Sequence, residues 1–251
     1  MPKRDFRSPR LYVDAPLATG SGIALDRDQT NYLGNVLRLE AGATVLVFNG
    51  RDGEWQATLA GRKRPDRAEI VAQVRAQDRL PDVHYTFAPL KHARLDYMVQ
   101  KAVEMGASAL RPVTTRFTQA NRVNVERMRA NVIEAAEQCG ILSLATVHDP
   151  EPLERWLGAR DAQRLLVFCD EDAPTADPVA ALVQARQDNR GIDVLIGPEG
   201  GFAEEERALL LKQSRLVQLS LGPRILRADT AAVAALAVVQ TALGDWNDNA
   251  R

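Results

Sequence analysis

The chain has 251 residues, of which 45% are hydrophobic and 26% charged, and its formal net charge is −1. This composition indicates a globular protein long enough for one or two domains. No apolar run approaches the length of a membrane span, and the basic start MPKRDFRSPR lacks the apolar segment of a secretion signal. Cys139, Cys169 and three scattered histidines offer no metal-ligand spacing, so we expect a reducing cytoplasm and no metal.

The charge is unevenly distributed along the chain. Residues 1–129 carry 21 Lys and Arg against 14 Asp and Glu, whereas residues 130–251 carry 11 against 19. Arginine accounts for 27 of the 32 basic residues, and its planar guanidinium suits phosphate contacts and stacking on bases. High-GC codon usage would produce the same bias. The asymmetry favours nucleic acid binding on the N-terminal side.

Residues 1–77 predict a small β-rich domain. The strand candidates are residues 11–13, 22–25, 44–48, 55–59 and 68–74. Asn49-Gly50 and Asp52-Gly53 are strong turn dipeptides between two of these strands. Asp28 or Thr30 can cap a short amphipathic helix. Many short strands joined by tight turns predict a closed or nearly closed barrel.

The polar, proline-containing segment Asp78–Asp82 predicts a linker to a second domain, residues 83–251. Predicted strands are residues 83–88, 109–113, 145–147, 165–169, 192–196 and 216–221, and predicted helices are 94–105, 125–138, 178–187, 203–213 and 229–243. Their alternation predicts a parallel sheet with helices on both faces. The last helix is apolar nearly all round, so it is buried either inside its domain or, as we favour, in a two-fold dimer.

Two consecutive strands of this domain end in Gly-Pro turns, Gly197-Pro198 and Gly222-Pro223, each followed by a helix-forming segment. Loops at the carboxyl ends of parallel strands form ligand sites, and glycines let a ligand approach the main chain. The spacing matches neither a P-loop nor a dinucleotide fingerprint. One such turn would be an ordinary tight connection, but the two together favour a binding site.

The combination of GPEGGF and LGPRILRADTA resembles the RsmE-type 16S rRNA methyltransferases of the SPOUT superfamily. Weaker likeness continues in Asn31–Arg38 and Asn49-Gly50. The resemblance implies an S-adenosylmethionine-dependent enzyme that methylates N3 of a specific uridine of 16S rRNA in the small ribosomal subunit. It also implies an α/β fold: a C-terminal trefoil-knotted parallel sheet with helices on both faces, a small N-terminal PUA-like β-barrel that binds RNA, and a homodimer formed through the C-terminal domain.

Cofactor contacts follow from the resemblance at three strand ends. They are Phe168, Cys169, Ile196, Gly197, Pro198, Glu199, Gly200, Gly201, Leu219, Leu221, Gly222, Ile225 and Leu226. Cys169 is expected to be a small apolar residue rather than a nucleophile, because N3 methylation needs no covalent adduct.

The catalytic candidates are Arg224, Arg227 and Asp229. A guanidinium near the uridine oxygens would stabilise the negative charge left when the N3 proton departs. The alternative for each arginine is a structural salt bridge to Asp229 or Glu199. Asp229 is either the general base or the N-cap of the last helix.

The RNA-contacting candidates are Arg10, Arg38, Arg116 and Arg122. Each alone would ordinarily be a solvated surface charge, but as a group in the positively charged half they indicate RNA. Three other functions remain open: a ribose 2′-O methyltransferase of the same superfamily, a non-catalytic RNA-binding assembly factor and, disfavoured by the absent fingerprint, a nucleotide-dependent oxidoreductase.

Overall fold

A computed structural model of the chain describes residues 8–247 except 92, 121, 175–176 and 187–189. The chain divides into two compact units. The first contains the described residues up to Arg79 together with Ala136–Leu144, and the second contains Leu80–Ala135 and the described residues from Ala145 onward.

The first unit is a five-stranded sheet with one short helical segment. Its elements are β1 (Arg10–Tyr12), β2 (Gly22–Ala24), α1 (Arg27–Asn31), a single π-helical turn (Tyr32–Val36), β3 (Thr44–Phe48), β4 (Glu54–Ala60) and β5 (Arg67–Arg75). The strand order is β1-β3-β4-β5-β2, with β1 parallel to β3 and the other pairs antiparallel. The core contains the fully buried side chains of Leu33, Val45, Val47 and Ala57. The prediction of a small β-rich domain is confirmed.

The helix of the first unit begins earlier than predicted. Asp26 is its N-cap: an Asp26 carboxylate oxygen accepts from Gln29 N at 2.7 Å, and Gln29 Oε1 accepts from Asp26 N at 2.9 Å. This reciprocal pair is a capping box, which satisfies two backbone donors at once. The prediction of a cap at Asp28 or Thr30 is therefore wrong.

A distant segment of the chain completes the first unit. Ala136 and Leu142 are fully buried against Phe48. Two hydrogen bonds fix the same segment: Tyr12 N donates to Glu137 Oε1 at 2.8 Å, and Arg75 donates to the Gly140 carbonyl at 2.6 Å. The first unit is therefore not one continuous stretch of sequence.

The second unit is a parallel α/β structure. Its strands are β6 (Val83–Phe87), β7 (Ala109–Thr114), β8 (Thr146–Val147), β9 (Glu151–Pro152), β10 (Leu165–Cys169), β11 (Ile192–Ile196) and β12 (Leu216–Leu219). Its helices are α2 (Ala93–Glu104), α3 (Val125–Cys139, which continues into the first unit), α4 (Leu153–Ala159), α5 (Pro178–Ala185), α6 (Glu204–Leu211) and α7 (Ala228–Ala242), with a 3-10 turn at Asp245–Asn247. The main sheet has the order β12-β10-β11-β6-β7-β8, and β9 pairs with β7.

Helices cover both faces of this sheet, as alternation predicts. On one face α4 and α6 pack Trp156 and Leu210 against Phe168 and Leu195. Successive strand residues point to opposite faces, so Val194 faces the other side, where α7 packs on β11 and also contacts α2 and α5. The α/β fold class is confirmed, and the knot that the resemblance implies stays a prediction. Among the described residues no helix is long and apolar enough to cross a bilayer.

Helix α4 and strand β9 were not predicted. The helix has seven residues and begins directly after Pro152. A periodic apolar pattern needs more than two turns to stand out in sequence. Its buried Leu153, Trp156 and Leu157 show that tertiary packing, rather than local pattern, stabilises it.

A buried carboxylate holds the amino end of β11. Asp193 is 2% exposed and pairs with Arg160 at 3.2 Å and Arg164 at 2.8 Å. Burial alone would raise the pKa of Asp193, but hydrogen bonds and charges from His84, Arg164 and Arg160 outweigh it and keep this pKa below its usual value. The carboxylate is therefore ionised in the folded protein at neutral pH, inside the apolar sheet.

We expect Asp193→Asn to lower the free energy of unfolding by roughly 3–5 kcal/mol at pH 7, because it leaves the buried Arg160 uncompensated. Since folding lowers the pKa of Asp193, its stabilisation is complete above the unfolded value of about 3.9 and is lost as the pH falls through the lower folded value. Urea unfolding at pH 7 and at successively lower pH measures both effects. The control is Asp82→Asn, at an exposed partner of the same Arg164, which should cost no more than about 1 kcal/mol. Equal losses in the two variants would contradict this account.

Candidate active site

Three strand ends meet at one edge of the sheet in the second unit. Strand β10 lies between β11 and β12 and is parallel to both: Phe168 aligns with Leu195, and Cys169 with Leu219. The carboxyl ends of the three strands are therefore neighbours. The loops that follow them carry both Gly-Pro turns, which emerge at the same edge.

Glycine occupies each of three positions in the first loop for a different physical reason. A Cβ at Gly197 would lie 2.5 Å from the Phe202 ring, so internal packing requires glycine there. A Cβ at Gly200 would lie 3.3 Å from Phe117 Cβ, a tight contact with a half-exposed side chain. Gly201 has a φ of 71°, and no atom lies within 4 Å of the position of its missing Cβ. The second loop repeats this at Gly222, with a φ of 103°. Gly201 and Gly222 thus leave main chain open at the edge.

Several predicted cofactor residues are core residues. Phe168, Ile196, Pro198 and Leu219 are buried, and the Phe168 ring packs edge-on against Phe202 at 5.3 Å between centroids. Only their main-chain atoms can face a ligand. The apolar side chains available at the edge are those of Leu221 and Leu226, both half-buried, and Ile225, which is 88% exposed.

Asp170, directly after β10, connects this strand end to its neighbours. It is 9% exposed and accepts hydrogen bonds from Arg207 at 2.8 Å and from Gln218 at 3.1 Å. Arg207 belongs to α6 and Gln218 to β12. One carboxylate therefore fixes the relative positions of three elements that frame the candidate site.

Burial keeps two acidic groups near this edge protonated. Burial, reinforced by the charge of Asp170, raises the pKa of the Cys169 thiol to about 12. Burial also raises the pKa of Tyr85, and the charge of Asp229 adds to this effect. The Tyr85 hydroxyl donates to Met98 Sδ at 2.9 Å. A thiol with so high a pKa is not a nucleophile at neutral pH.

Two glutamates, Glu199 in the first Gly-Pro loop and Glu206 in the first turn of α6, have partners far away in sequence. Glu199 pairs with Arg94 at 2.7 Å. Glu206 accepts from Ala203 N at 3.0 Å and from Arg116 N at 2.8 Å, which fastens the loop after β7 to the start of α6. Sequence analysis missed Arg94, Glu206 and the neighbouring Phe117, because no local pattern connects residues about a hundred positions apart.

The two candidate catalytic arginines are exposed and unpaired. The guanidinium groups of Arg224 and Arg227 form no hydrogen bond or ion pair with any residue that the structure describes. The alternative of a structural salt bridge is wrong: Glu199 pairs with Arg94, and an Asp229 carboxylate oxygen accepts from Thr230 N at 2.8 Å. Two unpaired guanidinium groups give the loop before α7 a positive charge that is available to a ligand.

Asp229 is not the N-cap of α7. The N-cap is Arg227, which makes no side-chain capping bond, and Asp229 lies in the first turn, half-buried. The prediction of Asp229 as an N-cap is therefore wrong. Its carboxylate remains close to Arg227 in the chain and next to the open loop.

The four predicted RNA-contacting arginines differ in their surroundings. Arg10 is 7% exposed and forms an ion pair with Glu54 at 2.5 Å, so its guanidinium belongs to a buried ion pair of the first unit. Arg38 is exposed in the first unit and has a left-handed backbone with a φ of 56°. Arg116 and Arg122 are exposed in the second unit. In the part of the chain that the structure covers, no group of three His, Cys, Asp or Glu side chains is arranged to hold a metal ion.

Comparison with known proteins gives concordant matches. A family model described as an RNA methyltransferase domain matches residues 77–240, and one described as an RNA methyltransferase PUA domain matches residues 25–71. Ribosomal RNA small subunit methyltransferase E of Rickettsia conorii is 30% identical over 92% of this chain and 94% of its own length.

Solved structures agree over nearly the whole chain. Ribosomal RNA small subunit methyltransferase E from Neisseria gonorrhoeae, bound to S-adenosyl methionine, is 26% identical with a TM-score of 0.83, covering 96% of this chain and 100% of that one. A methyltransferase from Legionella pneumophila, in complex with the same cofactor, is 27% identical with a TM-score of 0.80, covering 94% and 98%. The methyltransferase model spans well over half of the sequence, and the Rickettsia relative matches it almost end to end. The chain therefore belongs to the RNA methyltransferase family, within the group of ribosomal RNA small subunit methyltransferases E.

Proposed function

We propose that this protein transfers the methyl group of S-adenosylmethionine to N3 of a specific uridine of 16S rRNA in the small ribosomal subunit. The observation that carries the proposal is that the two Gly-Pro loops emerge together at one sheet edge, beside two exposed and unpaired arginines. The names of the relatives support the substrate class, and the bound ligand of two similar structures supports the cofactor.

The residues at the edge fit such a cofactor. Gly201 and Gly222 leave main chain open, so backbone donors and acceptors there can hold the polar parts of the ligand. Leu221, Ile225 and Leu226 offer apolar surface for the adenine ring. When bound, S-adenosylmethionine supplies an electrophilic methyl group on a positively charged sulfur. The Glu199 carboxylate, which lies in the first Gly-Pro loop, is paired with Arg94.

The charged side chains of the loop before α7 and of its first turn act on the uridine. N3 carries an imide proton that must leave, and the departing proton leaves negative charge on the base. Arg224 and Arg227 stabilise that charge at the uridine oxygens, or hold the adjacent phosphate. Asp229 is the nearest carboxylate in the chain and is proposed as the proton acceptor.

Both units contribute to RNA binding in this proposal. Residues 1–77 are the RNA-binding domain and residues 83–251 the catalytic domain, with Arg38, Arg116 and Arg122 contacting the RNA backbone. We leave Arg10 out of this set because its guanidinium is buried with Glu54. The proposed substrate places the reaction in the cytoplasm.

We also propose a homodimer formed through α7. One face of this helix is buried within its unit, through residues such as Ala235 and Leu236. Beyond the first turn, which carries Asp229 and Thr230, the remaining positions are apolar and half-buried except for the exposed Thr241; they include Ala231, Ala234, Ala237 and Val238. A helix that is apolar on its partly exposed side favours packing against a second copy.

The decisive experiment is tritiated methyl transfer to small ribosomal subunits that lack the modification, followed by nucleoside analysis. We expect label in 3-methyluridine. Label in a 2′-O-methyl nucleoside would favour the other methyltransferase class. RNA binding without any affinity for S-adenosylmethionine would favour a non-catalytic assembly factor.

Arg227→Ala should reduce the rate of methyl transfer by roughly 10²–10³-fold, because it removes a charge-stabilising group that has no structural partner. Size-exclusion chromatography and thermal unfolding should match the wild type. The control is Arg155→Ala, another largely exposed arginine, on α4, which should retain full activity. Full activity of Arg227→Ala would remove this residue from the mechanism.

Gly200→Val should weaken S-adenosylmethionine binding at least tenfold, on the order of 1.4 kcal/mol, since its side chain fills the approach to the loop. Calorimetry measures the dissociation constant. The new side chain also meets Phe117, whose Cβ lies 3.3 Å from the Cβ position at residue 200. The double variant Gly200→Val/Phe117→Ala removes that clash. If the double variant bound the cofactor as tightly as the wild type, the placement of Gly200 at the cofactor would be wrong.

A further inference from the structure

We propose that the Phe117 ring is a stacking surface for an unpaired nucleobase of the RNA substrate. This inference rests on the proposed function and names a specific contact for it. Phe117 is one of the exposed large hydrophobic residues of the second unit, at 44% exposure, and its ring lies beside the first Gly-Pro loop.

The turn that carries Phe117 is held rigidly. Thr115 N donates to Thr118 Oγ1 at 2.8 Å, and Thr118 N donates to the Thr115 carbonyl at 3.1 Å. The two threonine hydroxyls are 3.0 Å apart. The backbone N–H of Arg116 donates to Glu206 on α6. Because the backbone of the turn is already ordered, only the side-chain rotations of Phe117 remain to be restricted when a ligand stacks on the ring, which favours binding.

The turn that carries Phe117 and the loop that carries Arg224 and Arg227 follow different strands of the sheet. In the strand order, β7 and β12 lie on opposite sides of β11. Phe117 follows β7 and contacts Gly200 of the loop after β11, whereas Arg224 and Arg227 follow β12. The turn with Phe117 and the loop with the two arginines therefore follow strands on either side of β11, whose own Gly-Pro loop lies between them along the edge.

The local charges favour a nucleic acid over an apolar partner. Three of the four glutamates in residues 199–206 are engaged: Glu199 by Arg94, Glu206 by two backbone N–H groups, and Glu205 by Arg116 at 4.0 Å. The fourth, Glu204, is exposed and has no partner among the described residues. The guanidinium groups of Arg224 and Arg227 have no such partners among the described residues. An exposed aromatic ring combined with arginines that lack partners is the kind of surface that binds single-stranded nucleic acid.

The chemistry of the reaction also calls for such a surface. A uridine whose N3 is to be methylated cannot be base-paired, because N3 lies on the pairing edge. Enzymes that modify bases take the target out of the stack and hold it against aromatic or apolar side chains. RNA recognition in general stacks splayed bases on aromatic rings. Phe117 supplies this surface at the edge of the proposed cofactor site.

The test measures binding of a short single-stranded RNA that contains the target uridine, by fluorescence anisotropy, with the full chain. We expect Phe117→Ala to raise the dissociation constant for RNA roughly tenfold, and Phe117→Trp to keep it within about twofold, since the stacking surface remains. Cofactor affinity and thermal stability should not change in either variant. The control is Trp246→Ala, which removes another exposed ring, 45% exposed, and should bind RNA normally.

A cycle with abasic RNA identifies the stacked base. At one nucleotide, removal of the base should weaken wild-type binding but have no further effect on Phe117→Ala. Additive losses at every nucleotide would overturn the proposal, and so would a Phe117→Ala variant that loses cofactor affinity while keeping RNA affinity. Because binding is measured without turnover, failure of the wild type to methylate RNA would refute the proposed function separately.

Discussion

The parallel pairing of β10 with both β11 and β12 is the constraint on which the candidate site depends. It brings together loops that are separated along the chain by whole helices. The hydrogen bonds of the strands set the register, and the Asp170 carboxylate holds the strand ends to α6 and β12. At the opposite edge of the sheet, Asp193 and its arginines hold the amino end of β11. The open loops are therefore built on neighbouring strands that are held by a carboxylate at each edge of the sheet.

Much of the fold could be predicted because its signals are local. The alternation of apolar segments predicted the sheet of the second unit, and the Gly-Pro turns marked the strand ends that meet. Elements with weak local signals were missed: α4 is only seven residues long, and the capping box of α1 depends on a pairing between Asp26 and Gln29 that was overlooked. The Ala136–Leu144 segment joins the first unit only through tertiary contacts, so no composition change marks it.

The arginines show where sequence reasoning about a site reaches its limit. Arg10 and Arg227 were both functional candidates, and the side chains are chemically identical. Arg10 is buried with Glu54, 44 residues away, whereas Arg227 is exposed and has no partner among the described residues. The pairing of a guanidinium group depends on which distant carboxylate the fold brings to it. In the same way, the reason for glycine at 197 is the Phe202 ring, and only the three-dimensional contact shows it.

The discontinuity of the first unit has a consequence for synthesis. The strands of its sheet are complete once residue 75 has been made, but Phe48 then still lacks Ala136 and Leu142, and Tyr12 lacks Glu137. On the ribosome, where domains tend to fold from the N-terminus onward, this small sheet cannot finish folding until about sixty further residues, including the first strands and helices of the other unit, have emerged. A gene fragment that ends at the Asp78–Asp82 segment would encode the sheet without Ala136 and Leu142, so the Phe48 ring would lack these packing partners.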